Sequence, residues 1–382
     1  MKTVGIICEY NPFHLGHQKQ IDCLRAKFGT DTVIVCLMSG NYVQRGMPAI
    51  FDKSLRAQAA INCGADLVLE LPTTYALSSA EGFAAGGVKI LSPFCDYLCF
   101  GSETGNCDAL METAQALLSP DFPPALREEL ASGCSFPVAR QRALQRKGIS
   151  GSLLEKPNDI LAVEYCKAIL AQGSTMKPLP IVRGGNYHDT APDSENPSAT
   201  ALRQLMEHNE NCHSFIPQAA WDIFADAPVY TLQDGERAVL ARLRTMSDAD
   251  YEALPYGSEG LWRKLMHAVR SSTSLEDIIT ATKSKRYTRT RIDRMIMCAY
   301  LGITKELLQS QVPYVRVLGF RSSGVPALKA ARQTGTFPHT GEKMEDAYQL
   351  LEQRWEDLFG LFCKKAPSPS GQTLSRRVYI RK

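Results

Sequence analysis

Short apolar runs alternate with helical patterns over the first hundred residues, and this alternation restricts the fold more than any other feature of the sequence. Between the runs, apolar residues recur at helical spacing, as in residues 15–28, where Gly29 ends the pattern. Strands that alternate with helices form a parallel sheet with right-handed crossovers, so the sequence predicts an α/β fold with a parallel sheet. The apolar runs, each typical of a buried strand, are Val4–Glu9, Thr32–Met38, Asp66–Leu71 and Tyr97–Phe100.

The rest of the chain shows mainly helical patterns. A length of 382 residues suits two domains, and we expect a first domain of residues 1–210 and a helix-rich C-terminal domain of residues 211–382. Further strands are predicted at Leu179–Val182 and Tyr314–Phe320. The predicted helices are 52–63, 76–91, 108–118, 122–132, 137–147, 160–171, 199–208, 233–247, 258–270, 274–282 and 287–302.

Composition excludes several classes of protein. Apolar residues make up 44% of the chain, which excludes disorder as its main state, and no run of apolar residues is long enough to cross a membrane. The 43 basic and 40 acidic residues nearly balance, so net charge alone identifies no nucleic-acid partner. The 12 cysteines include no CxxC pair, and the N-terminus shows no signal peptide. We therefore expect a cytoplasmic protein.

The segment EYNPFHLGH follows the first predicted strand and contains the motif HxGH. His14 and His17 are three residues apart, so their imidazoles share one face of the first turn of a helix. That turn also presents backbone N–H groups and the positive end of the helix dipole, and Gly16 lets a phosphate approach the backbone. The segment therefore predicts an anion site suited to a nucleotide triphosphate. Two alternatives stay open: histidines that only cap the helix, or a metal-binding pair, for which no third ligand is visible.

The segments after the second and fourth strands carry further candidate residues, because ligands bind at the carboxyl ends of parallel strands. Arg45, in MSGNYVQRG, is placed to bind phosphate or carboxylate, and the alternative is a solvated loop arginine. The segment Gly101–Glu103 offers a backbone that can lie against adenine or ribose.

These segments together resemble the bacterial tRNA(Met) cytidine acetate ligases, which belong to the HxGH nucleotidyltransferase superfamily. The resemblance rests on EYNPFHLGH, MSGNYVQRG, DLVLELP and CFGSE. It continues through most of the chain in KPNDILAVEY, PIVRGGNYHD, SATALR, KRYTRTRIDRM and VRVLGF. The combination of HxGH with EYNPF and QRG is much more specific than HxGH alone. The fold implied is a Rossmann-like nucleotidyltransferase domain followed by a mainly helical region.

The resemblance implies a reaction and a set of site residues. ATP would activate acetate as acetyl-adenylate, and the acetyl group would pass to N4 of the wobble cytidine, position 34, of elongator tRNA(Met). Mg²⁺ is expected on the phosphates, and no dedicated metal ligands are predicted. His14 and His17 are the candidate catalytic residues, and Asp189 is either a polar site residue or a loop cap. The residues implied to bind ATP are Ile7, Cys8, Glu9, Tyr10, Asn11, Pro12, Phe13, His14, Leu15, Gly16, His17, Gln18, Lys19, Gln20, Gly101, Asn158 and Arg183.

Basic charge is concentrated late in the chain. Residues 283–294 hold six basic residues and one acidic residue, and residues 361–382 hold six basic residues and no acidic one. Such a patch would contact the tRNA backbone, and Tyr287 would stack on a base; the alternative is a solvated helix face. The candidate tRNA-binding residues are Lys283, Lys285, Arg286, Arg289 and Arg291.

Two other functions remain open from the sequence. One is a small-molecule adenylyltransferase of the same fold, which would not need the basic C-terminal third. The other is a non-catalytic RNA-binding protein with a relict nucleotide pocket, against which the intact HxGH argues. No membrane partner is expected, and the sequence does not predict the oligomeric state.

Overall fold

A computed structural model describes residues 2–182, 198–333, 338–339, 347–365, 370–371 and 377–381. Two sequence predictions, Arg183 in the ATP site and Asp189, lie outside these residues. The strands are β1 (Thr3–Cys8), β2 (Val33–Ser39), β3 (Tyr42–Val43), β4 (Met47–Pro48), β5 (Leu67–Leu71), β6 (Tyr97–Ser102), β7 (Lys177–Val182), β8 (Val315–Arg321), β9 (Pro338–His339) and β10 (Tyr379–Arg381).

The helices surround the sheet and build most of the C-terminal half. Those before residue 210 are α1 (Leu15–Phe28), α2 (Lys53–Asn62), α3 (Thr73–Ala76), α4 (Ala80–Leu91), α5 (Cys107–Leu118), α6 (Phe122–Ala131), α7 (Phe136–Gln145), α8 (Pro157–Ala171) and α9 (Ala199–Glu207). Those after it are α10 (Gln218–Phe224), α11 (Glu236–Thr245), α12 (Asp248–Glu252), α13 (Leu261–Ser271), α14 (Leu275–Thr282), α15 (Arg289–Leu301), α16 (Lys305–Gln309), α17 (Val325–Gln333) and α18 (Ala347–Phe359).

The main sheet has the order β10-β8-β5-β2-β1-β6-β7, and β9 pairs with β8. The five strands from β5 to β7 are parallel to their neighbours, whereas β8 runs antiparallel to β5. From β1 the chain first builds outward through β2 and β5, and then returns to add β6 and β7 on the other side. The strand order therefore reverses at β1, and in such sheets the ligand crevice lies at that point.

The four strands predicted for the first hundred residues are present, and helix 15–28 has the predicted bounds. The single helix predicted over 76–91 is wrong, because α3 and α4 are separate and the Ser79 side chain caps α4 by accepting from the Gly82 N–H. The β3–β4 hairpin was not predicted, since two residues per strand are too few to show a period. The division after residue 210 stays a prediction, and β8 and β10, which follow that point, lie in the same sheet as the strands before it.

A buried group of charged side chains joins α18 to the sheet. Lys53 Nζ lies 2.6 Å from Glu70 Oε1 and also pairs with Glu356. The Arg316 guanidinium donates to Glu356 Oε1 at 2.9 Å. Beside them, buried Glu352 accepts a hydrogen bond from the Thr73 N–H at 3.2 Å. Burial first, and then the neighbouring Glu70 carboxylate, raise the pKa of Glu352 to about 7.

This shift makes stability depend on pH. The folded protein keeps a proton on Glu352 that the unfolded chain releases near its ordinary pKa of 4.5, so stability falls as pH rises from there to about 7. We expect Glu352→Gln, which retains an oxygen for the Thr73 N–H, to raise the melting temperature by a few degrees at about pH 8 and to change little at about pH 5. Glu356→Gln is the matched control and should lower it at both pH values, because it loses two ion pairs. Equal destabilisation by Glu352→Gln at both pH values would contradict this assignment.

Candidate active site

A cavity of about 430 Å³ opens at the carboxyl end of β1, where the strand order reverses. Its lining comes from the β1–α1 turn, the β3–β4 hairpin, the end of β6, the start of α8, the end of β7 and the start of α9. Twelve of the residues implied to bind ATP line it, namely Ile7, Cys8, Glu9, Tyr10, Asn11, His14, Gly16, His17, Lys19, Gln20, Gly101 and Asn158. Four others in that set, Pro12, Phe13, Leu15 and Gln18, are not part of the lining.

The β1–α1 turn is held by hydrogen bonds from distant parts of the chain. Tyr10 adopts a left-handed backbone conformation with φ 45°, and the Asn11–Pro12 peptide bond is cis. The Asn11 side-chain oxygen accepts from the Ile50 N–H at 2.7 Å, and its carbonyl accepts from Arg203 at 2.8 Å. These contacts fix where α1 begins relative to the sheet.

His14 and His17 form a stacked pair at the N-terminus of α1, with ring centroids 3.7 Å apart. The Gly16 N–H donates to His14 Nδ1 at 3.1 Å, and the His14 N–H donates to His17 Nδ1 at 3.2 Å. Because both Nδ1 atoms accept, each neutral ring carries its proton on Nε2. The sequence left open whether these histidines cap the helix or bind a ligand. In the structure both histidines take part in capping α1, and both rings also lie on the cavity lining.

Glycine at position 16 leaves space for the His14 ring as well as for an approaching ligand. A Cβ at this position would stand 2.9 Å from His14 Cε1, closer than Cβ atoms come to neighbouring atoms in real structures. Any larger residue would displace the ring from its capping position. The sequence indicated only the approach of a phosphate.

Arg56, on α2, is fully buried and holds the loops that follow β1 and β2. Its guanidinium donates to the carbonyls of Phe51 at 2.9 Å, Glu9 at 2.6 Å and Ser39 at 3.1 Å, and also to the carbonyl of Gly40. Burial lowers its pKa to about 10, so it remains charged at neutral pH. Sequence reasoning missed this residue, because its partners come from three separate loops.

The end of β6 and the start of α8 are joined by two carboxylates. Glu103 accepts from the backbone N–H groups of Asn158 at 3.0 Å and Asp159 at 2.7 Å. In return, Asp159 accepts from the Ser102 hydroxyl at 2.5 Å and from the Glu103 N–H at 3.0 Å. This reciprocal arrangement holds the end of β6 against the start of α8, and Gly101 and Asn158 both lie on the cavity lining.

The N-terminus of α9 also faces the cavity, which sequence reasoning did not assign. Ser198 caps the helix by accepting from the Ala201 N–H at 3.1 Å, and Ser198, Thr200 and Arg203 line the cavity. A helix N-terminus and an arginine favour anionic ligands. The serine that predicted a helix at 199–208, placed after strand β7, was the signal that could have found this part of the site.

The predicted basic residues divide into two groups. Lys283, Lys285 and Arg286 are exposed, whereas Arg289 forms a bidentate pair with Glu276 with both distances 2.6 Å. Arg291 donates to the Ser258 hydroxyl at 2.8 Å and to the Tyr256 carbonyl at 3.0 Å. These residues lie before and within the first turns of α15.

The expectation that Tyr287 stacks on a base is wrong for this fold. The ring is 8% exposed and packs within the helical core, and its hydroxyl donates to the Glu259 carbonyl at 2.5 Å. Tyr287 therefore supports the basic segment from beneath.

In the part of the chain that the structure describes, no helix is both long and apolar enough to span a membrane. The same residues contain no group of three His, Cys, Asp or Glu side chains arranged to hold a metal ion.

Comparison with known proteins identifies the family. A sequence model of the HIGH Nucleotidyl Transferase family matches residues 1–367. A tRNA(Met) cytidine acetate ligase from Clostridium novyi is 36% identical over 357 residues, which is 88% of this chain and 89% of that protein. The chain belongs to the tRNA(Met) cytidine acetate ligase family. A member of this family from Acetivibrio thermocellus is 32% identical over 418 aligned residues and covers 100% of both chains.

Solved structures of Thermotoga maritima TmcAL share the fold of this family member. The apo form has a TM-score of 0.91 at 29% identity and covers 100% of this chain and 99% of that one. The form bound with alpha-thio ATP has a TM-score of 0.88 at the same identity. The family and the α/β fold class expected from the sequence are therefore confirmed.

Proposed function

We propose that this chain is an ATP-dependent ligase that charges acetate as acetyl-adenylate and transfers the acetyl group to N4 of the wobble cytidine of elongator tRNA(Met). The observation that carries the proposal is the stacked His14–His17 pair in a nucleotide-sized cavity. It is supported by family relatives of nearly equal length that bear the name tRNA(Met) cytidine acetate ligase. A tRNA substrate also implies a cytoplasmic location.

In the first step, a carboxylate oxygen of acetate attacks the α-phosphorus of ATP. The bond between the α-phosphorus and its bridging oxygen to the β-phosphorus breaks, and pyrophosphate leaves with both electrons. The Nε2–H groups of His14 and His17 and the N–H groups of α1 are arranged to bind the negative charge on the phosphates. Arg203 and the N-terminus of α9 add positive potential around the same cavity.

In the second step, the N4 amine of cytidine attacks the acetyl carbon of acetyl-adenylate. The bond from that carbon to the adenylate oxygen breaks, AMP leaves, and the amine gives up a proton to a base or to water. Neither step needs a covalent bond to the enzyme. We propose Mg²⁺ as the counter-ion of ATP, where it would offset the charge of the phosphates.

The binding of tRNA is assigned to the basic segment ahead of α15. We expect the double variant Lys285→Ala/Arg286→Ala to bind tRNA(Met) about tenfold more weakly, and to lower the slope of log affinity against log salt by about 1–2. Both side chains are exposed, so the fold should be unaffected. The matched control Lys27→Ala/Arg127→Ala removes two exposed charges elsewhere and should change neither quantity. An unchanged salt slope in the first variant would remove these residues from the tRNA surface.

The proposed function is tested by incubating the protein with ATP, labelled acetate and unmodified tRNA(Met), and digesting the tRNA to nucleosides. Labelled N4-acetylcytidine is the expected product, and omission of ATP should abolish it. Transfer of AMP to a small molecule, without dependence on tRNA, would instead identify an adenylyltransferase. No turnover with either class of acceptor would contradict an enzymatic role.

A further inference from the structure

The β3–β4 hairpin contributes to the lining of the same cavity as Gly101 and Asn158. Gln44 and Arg45, in its loop, line the cavity, and the Gln44 N–H donates to Glu9 Oε1 at 2.9 Å. The hairpin follows β2, whereas Gly101 ends β6, and these two strands flank β1 on opposite sides. The cavity therefore extends across the end of β1 from one flanking strand to the other.

The hairpin loop rests directly on α15, the helix that follows the exposed basic residues. Gly46 has φ 77°, in the left-handed region that favours glycine. A Cβ on Gly46 would stand 2.5 Å from the carbonyl carbon of Asp293 and 2.7 Å from Cα of Arg294. Because these are backbone atoms, no rotation of a side chain can make room. The loop and the helix are thus in contact through their main chains.

Charged side chains from both the loop and α15 also interact at this contact. The Asp293 carboxylate lies 3.7 Å from Nε of Arg289, and its side chain is only 13% exposed. Burial and the Glu276 carboxylate raise the pKa of Asp293 to about 6, while Arg289, Arg294 and Arg45 oppose the rise, so the group is mainly ionised at neutral pH. One carboxylate therefore lies among guanidinium groups of the cavity lining and of the basic segment.

We propose that the acceptor nucleotide of tRNA enters the cavity over the Gln44–Gly46 loop, and that Gly46 and Asp293 are positioning residues for acetyl transfer. This inference rests on the proposed function. A tRNA strand bound to the exposed basic residues before α15 would pass the place where Gly46 touches that helix, and would then reach Arg45. The Arg45 guanidinium provides a cation for a phosphate next to the target base. The part of the cavity that Gly101 and Asn158 line then remains for the base and ribose of ATP.

If the loop positions only the tRNA acceptor, changing its contact with α15 should affect acetyl transfer and not acetate activation, and these two half-reactions can be measured independently. Acetate-dependent exchange of labelled pyrophosphate into ATP, without tRNA, reports activation. Single-turnover formation of N4-acetylcytidine at saturating tRNA(Met) reports transfer. For Gly46→Ala we expect exchange to stay within about twofold of wild type and transfer to slow about 100-fold, since a displacement of the loop by about 1 Å misplaces the acceptor.

Gly302→Ala is the matched control, because Gly302 ends the same helix with φ 71° and has open space around it. It carries the same backbone strain without a clash, and both half-reactions should stay near wild type. Asp293→Asn tests the same contact without backbone strain and should slow transfer about tenfold with exchange preserved. Asp293→Asn also tests the proposed entry route if Gly46→Ala does not fold.

The outcomes distinguish the two proposals. Transfer at the wild-type rate in both Gly46→Ala and Asp293→Asn would overturn the entry route, as would an equal loss of exchange and transfer in folded protein. If wild type itself shows neither acetate-dependent exchange nor N4-acetylcytidine, the proposed function fails, and this inference fails with it.

Discussion

Replacing His17 with alanine is expected to slow acetate-dependent pyrophosphate exchange about 100-fold, because a preorganised donor to the phosphates is lost. His17 lies on the cavity lining, with its Nδ1 occupied by the His14 N–H at 3.2 Å. The proton on Nε2 is therefore the one it offers to a ligand. His14→Ala should show a similar loss, with a further decrease in stability of about 1 kcal/mol because the Gly16 N–H loses its cap.

The control for both variants is His267→Ala, which removes an exposed histidine on α13. Its exchange rate should equal that of wild type. The measurement is the initial rate of label entering ATP at saturating acetate, with melting curves to verify folding. Wild-type exchange in folded His17→Ala would exclude this histidine from activation and would leave the helix N-termini and arginines as the phosphate site.

Replacing Arg56 with methionine is expected to lower the free energy of unfolding by about 4 kcal/mol, from four buried hydrogen bonds at about 1 kcal/mol each. The carbonyls that would lose their donor belong to Glu9, Ser39, Gly40 and Phe51. One of them, Glu9, lies on the cavity lining itself. Exchange activity should therefore fall together with stability.

Urea denaturation followed by circular dichroism measures this effect. Arg270→Met is the matched control, because Arg270 pairs with Asp248 and the two side chains are 54% and 66% exposed. Its loss should be below about 1 kcal/mol, since solvent screens the pair. Equal stability of Arg56→Met and wild type would show that the loops hold without the guanidinium.

The sequence was informative wherever a local pattern determined the structure. Hydrophobic patterns and the glycine and proline residues that end them located the strands of the parallel sheet. The whole HxGH motif lies within one helix turn, so its arrangement followed from local spacing. The resemblance implied Gly101 and Asn158, which are brought together on the cavity lining. The assignment of these residues to ATP stays a prediction.

Long-range contacts account for what the sequence did not reveal. Arg56 lies in an ordinary helical pattern, and its burial depends on loops that arrive from elsewhere in the chain. Tyr287 stands in a basic segment that suggests an exposed ring, yet it packs into the helical core. The antiparallel pairing of β8 with β5 joins residues separated by most of the chain, and no local pattern encodes it.

In the proposed activation step, a carboxylate oxygen of acetate becomes bonded to the α-phosphorus of ATP in this cavity. Acetate labelled with ¹⁸O in both oxygens tests it directly, with AMP analysed by mass spectrometry after acetylation of tRNA(Met). We expect one labelled oxygen in each AMP, in equal amount to the N4-acetylcytidine formed, because the acetyl carbon–oxygen bond breaks in the second step. Unlabelled AMP, or ADP as the nucleotide product, would contradict it.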